Sequence, residues 1–320
     1  MFSEFLKVLD DPEAALSKDG TALKYKGVKI PVRNGIPRFT PDESYSSGNF
    51  ARLREEHAIL QMDSQNGTTD RRDTILDRTN WPADFWKGKL VLECGCGAGP
   101  DTEIMRNFGA KVVAVDIAGV DVAKDNLSAD GEGKAQFVQA SIMDLPFKPE
   151  SFDIVFCHRV LQHTPDPEHV LAHILSFVKP DGAVFVHSYA RTWIQMCRWK
   201  YVLLPFTRKI NSEKLYNFVK WYAPFAYKVT GALRRIPGGR VINHFCIPFL
   251  NYRHAKQFKP LSDERVLEIG VHDTFDALSP PYDEPVAAAT MRAIAAPILK
   301  KPFEIIERPM VTLLRTIVSS

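Results

Sequence analysis

Short apolar runs alternate with amphipathic stretches along most of the chain. The apolar runs predict strands near 90–93, 112–116, 136–139, 153–157 and 183–187, with helices between them. Strands that alternate with helices form a parallel sheet covered on both faces. Two later runs, 303–307 and 311–317, predict a closing pair of strands around a turn at Arg308–Pro309. The pattern predicts an α/β fold with a doubly wound, seven-stranded, mostly parallel sheet.

The first predicted strand leads directly into an acidic residue and a glycine-rich loop. Glu93 is followed by alternating glycines at Gly95, Gly97 and Gly99, and a helix is expected to start near residue 101. Glycines allow a tight turn and leave space between the backbone and a ligand. The third glycine of the dinucleotide fingerprint is replaced by Pro100, which disfavours NAD and therefore a dehydrogenase. A different nucleotide-like cofactor is expected.

The second predicted strand brings a carboxylate to the same edge of the sheet. Asp116 ends this strand 21 residues after Gly95, and Ile117 follows it. A carboxylate in this place can accept hydrogen bonds from both hydroxyls of a ribose. The spacing indicates an adenosine-containing cofactor.

With two further motifs, residues 85–190 resemble the class I S-adenosylmethionine-dependent methyltransferases of the type 11 group. The third motif spans 137–147 and ends in Asp-Leu-Pro-Phe, and the fourth spans 151–167 and contains Leu-Gln-His-Thr-Pro-Asp-Pro. Four motifs in this order are a specific signature. The resemblance implies a Rossmann-like fold, methyl transfer as the activity and S-adenosylmethionine as the cofactor.

The resemblance also implies which residues contact the cofactor. Glu93 would order the ammonium group, the three glycines would lie against the methionine and ribose portions, and Asp116 with Ile117 would hold the ribose. Ser141 and the backbone amide of Ile142 take the adenine positions, and His158 would line the pocket. Asp144 is an alternative adenine contact, although ordering the turn before Leu145 is the favoured role for it.

The segment 190–260 differs from the rest of the chain in charge. It holds 14 of the 41 Lys and Arg residues but only one of the 38 acidic residues, Glu213. Its formal charge is therefore +13, whereas the other 249 residues sum to −10. The same segment contains 14 aromatic residues interleaved with the cations. The overall charge of +3 conceals a strongly dipolar molecule.

A segment that follows the fifth strand is expected to cover the carboxyl edge of the sheet, so 190–262 is interpreted as a helical substrate lid. Aromatic rings beside cations suit an anionic or amphiphilic partner. Three alternatives stay open: a solvated cap without binding function, contact with an acidic membrane surface or a lipid-linked anionic substrate, and binding of a soluble phosphorylated or acidic small molecule. Nucleic acid is disfavoured because no recognised nucleic-acid-binding module accompanies the cations.

Two histidines are candidate general bases for a hydroxyl acceptor. His163 lies in the loop after the fourth strand, and His272 lies in a polar, proline-rich segment, 271–283, that is expected to form a loop. A carboxylate from Asp273 or Asp276 would orient His272 and raise its basicity. The alternative for both histidines is a structural role. No metal site is expected, because Cys94 and Cys96 have no second pair of ligands at suitable spacing.

The remaining features concern the N-terminus and the compartment. Residues 23–39 resemble the second half of a zinc-ribbon-like appendage found ahead of some methyltransferases, without its metal-binding cysteines, and Asn34–Gly35 is expected to form a hairpin turn. The odd number of cysteines, five, indicates free thiols in a reducing compartment. No signal segment and no long apolar run is apparent, so a cytoplasmic location with peripheral membrane contact through 190–260 is the expectation.

These observations predict four regions and one activity. The regions are an appendage at 1–48, a cofactor-binding core at 49–189, the lid at 190–262 and the remainder of the core at 263–320. The predicted activity is S-adenosylmethionine-dependent methylation, on oxygen, of a small anionic acceptor that is sugar- or lipid-linked. Methylation of carbon or nitrogen and a non-catalytic docking protein with a cofactor-binding fold are the alternatives.

Overall fold

A computed structural model describes residues 1–41, 59–127, 135–255 and 258–318. Eleven strands are present in the described residues, and we number them in chain order: β1 (Ala15–Leu16), β2 (Ala22–Tyr25), β3 (Val28–Arg33), β4 (Ile36–Pro37), β5 (Leu90–Cys94), β6 (Lys111–Asp116), β7 (Ala135–Gln139), β8 (Phe152–His158), β9 (Val178–Tyr189), β10 (Phe303–Arg308) and β11 (Val311–Thr316). The α-helices are Phe2–Val8, Asp63–Asn66, Asp70–Thr79, Pro100–Asn107, Val120–Leu127, Pro167–Leu175, Trp193–Met196, Trp199–Thr207, Ser212–Leu233, Gly239–Cys246, Asp263–Leu278 and Ala288–Ile298.

The central sheet has seven strands in the order β10-β11-β9-β8-β5-β6-β7. Strands β5 to β9 pair in parallel, and β10 and β11 join the sheet antiparallel beside β9. Successive residues of the parallel strands enter two different hydrophobic clusters, one on each face of the sheet. This burial on both faces explains the continuous apolar runs. The predicted fold class and closing strand pair are confirmed.

Strand β9 contains an irregular stretch at 179–182. Val178 of β9 pairs with Phe152 of β8, and Ala183 pairs with Ile154. β9 therefore makes an excursion, in which it advances by five residues while β8 advances by two. Gly182 lies in this excursion, and a Cβ atom there would fall 2.9 Å from the carbonyl oxygen of Asp153. The regular part of β9 then runs to the edge where β5, β6 and β8 also end.

The N-terminal residues form a small antiparallel sheet, β1-β2-β3-β4, that packs on the core. Asn34 and Gly35 both have positive φ angles, 52° and 69°, and join β3 to β4, which confirms the predicted hairpin turn. Arg38 then fixes this sheet to the core, because its guanidinium donates to both carboxylate oxygens of Asp121 at 2.6 and 2.8 Å and to Gln139 at 2.8 Å. The resemblance to a zinc-ribbon-like appendage stays a prediction.

The lid forms a third hydrophobic cluster of its own. Helix Ser212–Leu233 packs against helix Asp263–Leu278, and the cluster includes Tyr216, Phe249 and Phe275. The predicted boundary at residue 262 therefore runs through this cluster. None of the described helices combines the length and the apolar character that crossing a bilayer requires.

The predicted loop at 271–283 is wrong in its first half, because residues 271–278 belong to helix Asp263–Leu278. Polar residues and prolines suggested a loop, but the buried positions Val266, Ile269, Val271, Thr274, Phe275 and Leu278 recur at helical spacing. Ser262 caps the start by accepting a hydrogen bond from the Arg265 amide at 3.2 Å. Only the segment from Ser279 onward is a loop.

Candidate functional site

The glycine loop connects β5 to helix Pro100–Asn107 at the carboxyl edge of the sheet. Gly95, Gly97 and Gly99 have φ angles of 83°, 57° and 91°, a region that side chains with a Cβ atom rarely adopt. A Cβ atom on Gly95 would also lie 2.3 Å from the side chain of Val160. The helix begins at Pro100, next to the start that the sequence predicts. Both backbone conformation and packing therefore require glycine here.

Asp116 lies beside this loop at the end of β6. One of its carboxylate oxygens accepts the Gly97 amide hydrogen at 2.8 Å, and the other accepts the Ala118 amide hydrogen at 3.0 Å. These two bonds orient the carboxylate. The contact ties the loop after β5 to the loop after β6.

Glu93 ends β5 and is almost completely buried. It accepts a hydrogen bond from the Thr102 hydroxyl at 2.5 Å. Burial raises the pKa of Glu93 well above its ordinary value, and the nearby charge of Asp101 adds to this increase. A bound ammonium group would favour the ionised form of Glu93.

Asp101, His158 and Arg78 form a buried polar network at the same edge. His158 Nδ1 lies 2.8 Å from a carboxylate oxygen of Asp101, and its Nε2 lies 2.6 Å from Arg78. A guanidinium can only donate, so Nε2 accepts and Nδ1 carries the hydrogen. Burial lowers the pKa of His158 to about 3, against the opposing charge of Asp101. His158 is therefore neutral and fixed in one tautomer at neutral pH.

A cavity of about 960 Å³ lies between the carboxyl edge of the sheet and the lid. Five of the predicted site residues line it: Gly95, Gly97, His158, His163 and His272. The others do not line this cavity: Glu93, Gly99, Asp116, Ile117, Ser141 and Ile142. The last two belong to the loop after β7, where the Ser141 hydroxyl accepts the Met143 amide hydrogen at 3.2 Å and the Ile142 side chain packs in the core. The assigned roles of all these residues stay predictions.

The two candidate bases both reach the cavity but differ in their partners. His163 Nδ1 lies 3.1 Å from the carbonyl oxygen of Tyr282, so this nitrogen donates. His272 Nδ1 lies 2.8 Å from one carboxylate oxygen of Asp273. The other oxygen of Asp273 accepts a hydrogen bond from the Tyr252 hydroxyl at 2.6 Å. His272 thus belongs to the carboxylate-oriented pair that the sequence suggested, on a helix rather than a loop.

The environment of His272 makes it more basic than an ordinary imidazole. Burial by itself lowers its pKa, but the hydrogen bond to Asp273 and the charges of Asp273 and Asp276 raise that pKa above the ordinary value. The same contact with His272 holds the pKa of Asp273 below its ordinary value, against the effect of burial. The pair can accept a proton at the imidazole and keep the carboxylate ionised.

Arg198 belongs to the cations counted in the lid, but the sequence did not single out Arg198 or Arg159 as cavity residues. Arg198 is 9% exposed, donates to Gln195 at 3.2 Å and has no carboxylate partner in the described residues, and its Nε makes no hydrogen bond there. Arg159 makes no hydrogen bond or ion pair with the described residues, and its φ angle is 64°. By contrast, Lys200 pairs with the buried Asp283. The signals in the sequence were the place of Arg198 in the basic segment and the place of Arg159 directly after β8.

His187 is a further residue that the sequence did not single out. It is the last residue of β9 that pairs with β8, opposite His158, and the two ring centroids lie 5.1 Å apart. It is 1% exposed, and neither ring nitrogen has a hydrogen-bond partner in the described part of the chain. Burial lowers its pKa well below the ordinary value, and the neighbouring His158 and Arg78 contribute. A histidine at the carboxyl end of a predicted strand was the available signal.

The strand order and the glycine loop at the carboxyl edge of the sheet define a Rossmann-like α/β protein. Residues 92–186 match the family model described as a methyltransferase domain. The chain carries a class I S-adenosylmethionine-dependent methyltransferase domain, and S-adenosylmethionine is the cofactor of that class.

Curated relatives align with the same part of the chain. The mitochondrial ubiquinone biosynthesis O-methyltransferase of Schizosaccharomyces pombe is 31% identical over 150 residues, which cover 42% of this chain and 54% of that protein. The ubiquinone biosynthesis O-methyltransferase of Xanthomonas campestris pv. campestris (strain B100) is 37% identical over 125 residues, covering 38% and 50%. A sterol 24-C-methyltransferase of Gibberella zeae is 36% identical over 109 residues, covering 33% and 29%. The chain thus spans about half the length, or less, of these relatives.

Proposed function

We propose that the protein transfers a methyl group from S-adenosylmethionine to an oxygen atom of a small anionic acceptor that is sugar- or lipid-linked. The observation that carries this proposal is the shared cavity, because the glycine loop lines one wall and the lid lines the other. Relatives named as ubiquinone biosynthesis O-methyltransferases support oxygen as the attacking atom. A cofactor on the loop would present its methyl group to an acceptor under the lid.

The residues around the glycine loop fit the cofactor. Gly95 and Gly97 line the cavity without side chains, so a ligand can approach the backbone of the loop closely. Asp116 is oriented by two amide hydrogen bonds, as a ribose-binding carboxylate requires. Glu93, which lies at the end of β5 just before this loop, would bind the ammonium group. When bound, the cofactor supplies an activated methyl group on a sulfonium.

The cations of the cavity favour an anionic acceptor. Burying a guanidinium without a carboxylate partner is costly, and a bound carboxylate or phosphate would offset that cost. Arg198 contributes from the lid and Arg159 from the loop after β8. Together they would hold the charged end of the acceptor while its hydroxyl faces the methyl group.

His272 is the general base in this proposal, and Asp273 is its positioning residue. With Nδ1–H donated to Asp273, Nε2 is the atom that would remove the proton from the acceptor hydroxyl. The raised pKa of His272 suits a hydroxyl substrate. His163, which the Tyr282 carbonyl holds in the corresponding tautomer, is the second candidate.

Calorimetric titration with S-adenosylhomocysteine, the demethylated product, tests the cofactor site without knowledge of the acceptor. The wild type is expected to bind, and Asp116→Asn is expected to bind at least about tenfold more weakly, because it loses charge-assisted hydrogen bonds to the ribose and to the loop. Asp181→Asn is the matched control, since Asp181 is an exposed carboxylate in the 179–182 stretch of β9, before its regular part.

Three results would contradict this part of the proposal: no binding to folded wild type, equal losses in both variants, or preferential binding of a nicotinamide dinucleotide. Once binding is established, labelled S-adenosylmethionine can be offered with acceptors that carry a hydroxyl and a carboxylate. Label found on carbon or nitrogen would overturn the assignment of oxygen while the cofactor site would stand.

A further inference from the structure

The outer surface of the lid exposes an unusual number of large apolar side chains. Of the seventeen such residues that are exposed in the described chain, twelve lie between 193 and 242. Single exposed apolar residues are normal on protein surfaces, but a concentration in one segment marks an interaction site. The cofactor cavity does not account for them, because the most exposed ones do not line it.

Helix Ser212–Leu233 arranges part of this surface as a stripe. Lys214, Phe218, Trp221, Phe225 and Lys228 follow one another at spacings of four, three, four and three residues, which places them along one line of an α-helix. The three aromatic residues are 55%, 77% and 67% exposed. We name these five residues the exposed stripe.

The opposite face of the same helix already supplies its packing. Leu215, Val219, Ala223, Ala226 and Thr230 are buried at helical spacing, and the helix packs on Asp263–Leu278. The exposed stripe lies on the other side and is not needed to bury the lid core. A helix that is apolar on two separate faces has a second partner beyond its own fold.

The charge around the exposed stripe indicates the chemistry of that partner. The segment 190–260 has fourteen cationic residues against the single acidic residue Glu213. Lys214 and Lys228 close the stripe at its two ends. Aromatic rings flanked by lysines on a helix are typical of the interface of an anionic bilayer, where rings enter the headgroup layer and lysines contact phosphates.

We propose that the exposed stripe docks the protein on the surface of an anionic lipid bilayer. The helix lies in the plane of the interface, with Phe218, Trp221 and Phe225 inserted below the headgroups. Apolar burial supplies most of the affinity, and the cations make that affinity dependent on anionic lipid and on salt.

The same helix also reaches the cavity, because Thr230 lines it. This helix would therefore lie between the membrane, which holds the acceptor, and the site of methyl transfer. This last step rests on the proposed function, whereas docking itself does not.

Sedimentation of the full chain with vesicles tests the docking. Vesicles of equal parts phosphatidylglycerol and phosphatidylcholine are compared with vesicles of phosphatidylcholine alone. The wild type is expected to bind the anionic vesicles, less strongly as salt is added. The triple variant Phe218→Ser/Trp221→Ser/Phe225→Ser is expected to lose at least about tenfold in affinity, since three rings no longer leave water. Unchanged binding of S-adenosylhomocysteine by this variant shows that the fold is intact.

A charge-matched pair of variants separates docking from general attraction. Lys214→Glu/Lys228→Glu is expected to weaken binding about tenfold or more, at roughly 1 kcal/mol for each lysine. Lys18→Glu/Lys29→Glu changes the net charge equally on exposed residues of the N-terminal sheet and is expected to bind nearly as the wild type does.

Any of four results would overturn the proposal. These are no sedimentation of folded wild type, equal binding to neutral and anionic vesicles, an unchanged triple variant, or an equal loss in the N-terminal pair. Wild type that self-associates without binding vesicles, and that the triple variant converts to a monomer, would instead assign the exposed stripe to contact between copies of this chain.

Discussion

At the scale of single residues, two neighbouring histidines, His158 and His187, are buried at the carboxyl edge of the sheet. Burial lowers the pKa of His158 to about 3 and keeps it neutral, and Asp101 and Arg78 fix its tautomer. His187 is buried beside it with no hydrogen-bond partner in the described residues. Each ring would have to bind a proton against desolvation and nearby cations, and both have pKa values below the ordinary one. Both histidines line the cavity, so a fall in pH destabilises this part of the fold.

This arrangement predicts a pH dependence of stability. The unfolded chain protonates His187 near its ordinary pKa of 6.5, whereas the folded chain does so only at much lower pH. The contribution of this residue is therefore complete above about pH 6.5 and is lost as the pH falls below it. His187→Phe removes the titrating group and sacrifices no hydrogen bond. Between about pH 7.5 and pH 5, the variant should lose less stability than the wild type, because only the unfolded wild type gains the proton on His187.

Urea unfolding at the two pH values measures the difference. His169→Phe is the matched control, because His169 is exposed on helix Pro167–Leu175. Equal pH dependence in wild type and His187→Phe would show that His187 is protonated in the folded chain.

The glycine loop, Asp116 and His158 could be identified from the sequence, because each lies within a few residues of a predicted strand end. The partners were not visible, because they are distant in the chain. Arg78 reaches His158 from 80 residues away, and the only mark of Arg198 was its place in the basic segment. Local patterns indicate which strand ends carry chemistry, but they do not show which helix supplies the countercharge.

At the scale of elements, helices Ser212–Leu233 and Asp263–Leu278 differ in how closely a glycine in each packs against its neighbours. Gly270, on helix Asp263–Leu278, would place a Cβ atom 2.7 Å from the ring of Phe249 and 2.8 Å from the carbonyl oxygen of Leu250. Gly231, on helix Ser212–Leu233, has no atom within 4 Å of the same position. The first glycine is required by packing, and the second is not.

These two glycines predict opposite effects of the same substitution. In a helix interior, alanine is favoured over glycine by up to about 1 kcal/mol. Gly231→Ala should therefore stabilise the protein by up to that amount. Gly270→Ala should destabilise it by about 1 to 3 kcal/mol, because the backbone of Leu250 cannot move out of the way as a side chain can. Chemical denaturation of both variants tests this, and a stable Gly270→Ala would show that the two elements are not in close contact.

The elements also show why the parallel sheet was predictable and helix Asp263–Leu278 was only partly so. The buried strands are apolar along their whole length because both faces are covered. The second half of the helix carries His272, Asp273, Thr274 and Asp276, which face the cavity or the packed lid. Polar residues that serve a site interrupt the periodic pattern, and their density was mistaken for a loop.

At the scale of the whole molecule, packing extends the division that charge suggests. The basic lid shares one hydrophobic cluster with helix Asp263–Leu278, whereas the two clusters of the sheet lie in the residues around them. Polar contacts join the two parts, among them the Lys200–Asp283 ion pair and the hydrogen bond from Gln195 to the carbonyl oxygen of Pro309. Regions with separate cores open separately, each with its own free energy.

This division predicts two levels of protection from hydrogen exchange. Amides of helices Ser212–Leu233 and Asp263–Leu278 should open with a free energy lower than that of β5, β6 and β8, because the lid cluster is smaller and its outer face lacks a protein partner in the described chain. Helix Ala288–Ile298 is the internal control, since it packs on the core cluster although it follows the lid. Native-state exchange read by mass spectrometry resolves these segments. Equal opening free energies for lid and sheet would mean that the chain unfolds as one unit, and the lid could then not move independently to admit an acceptor.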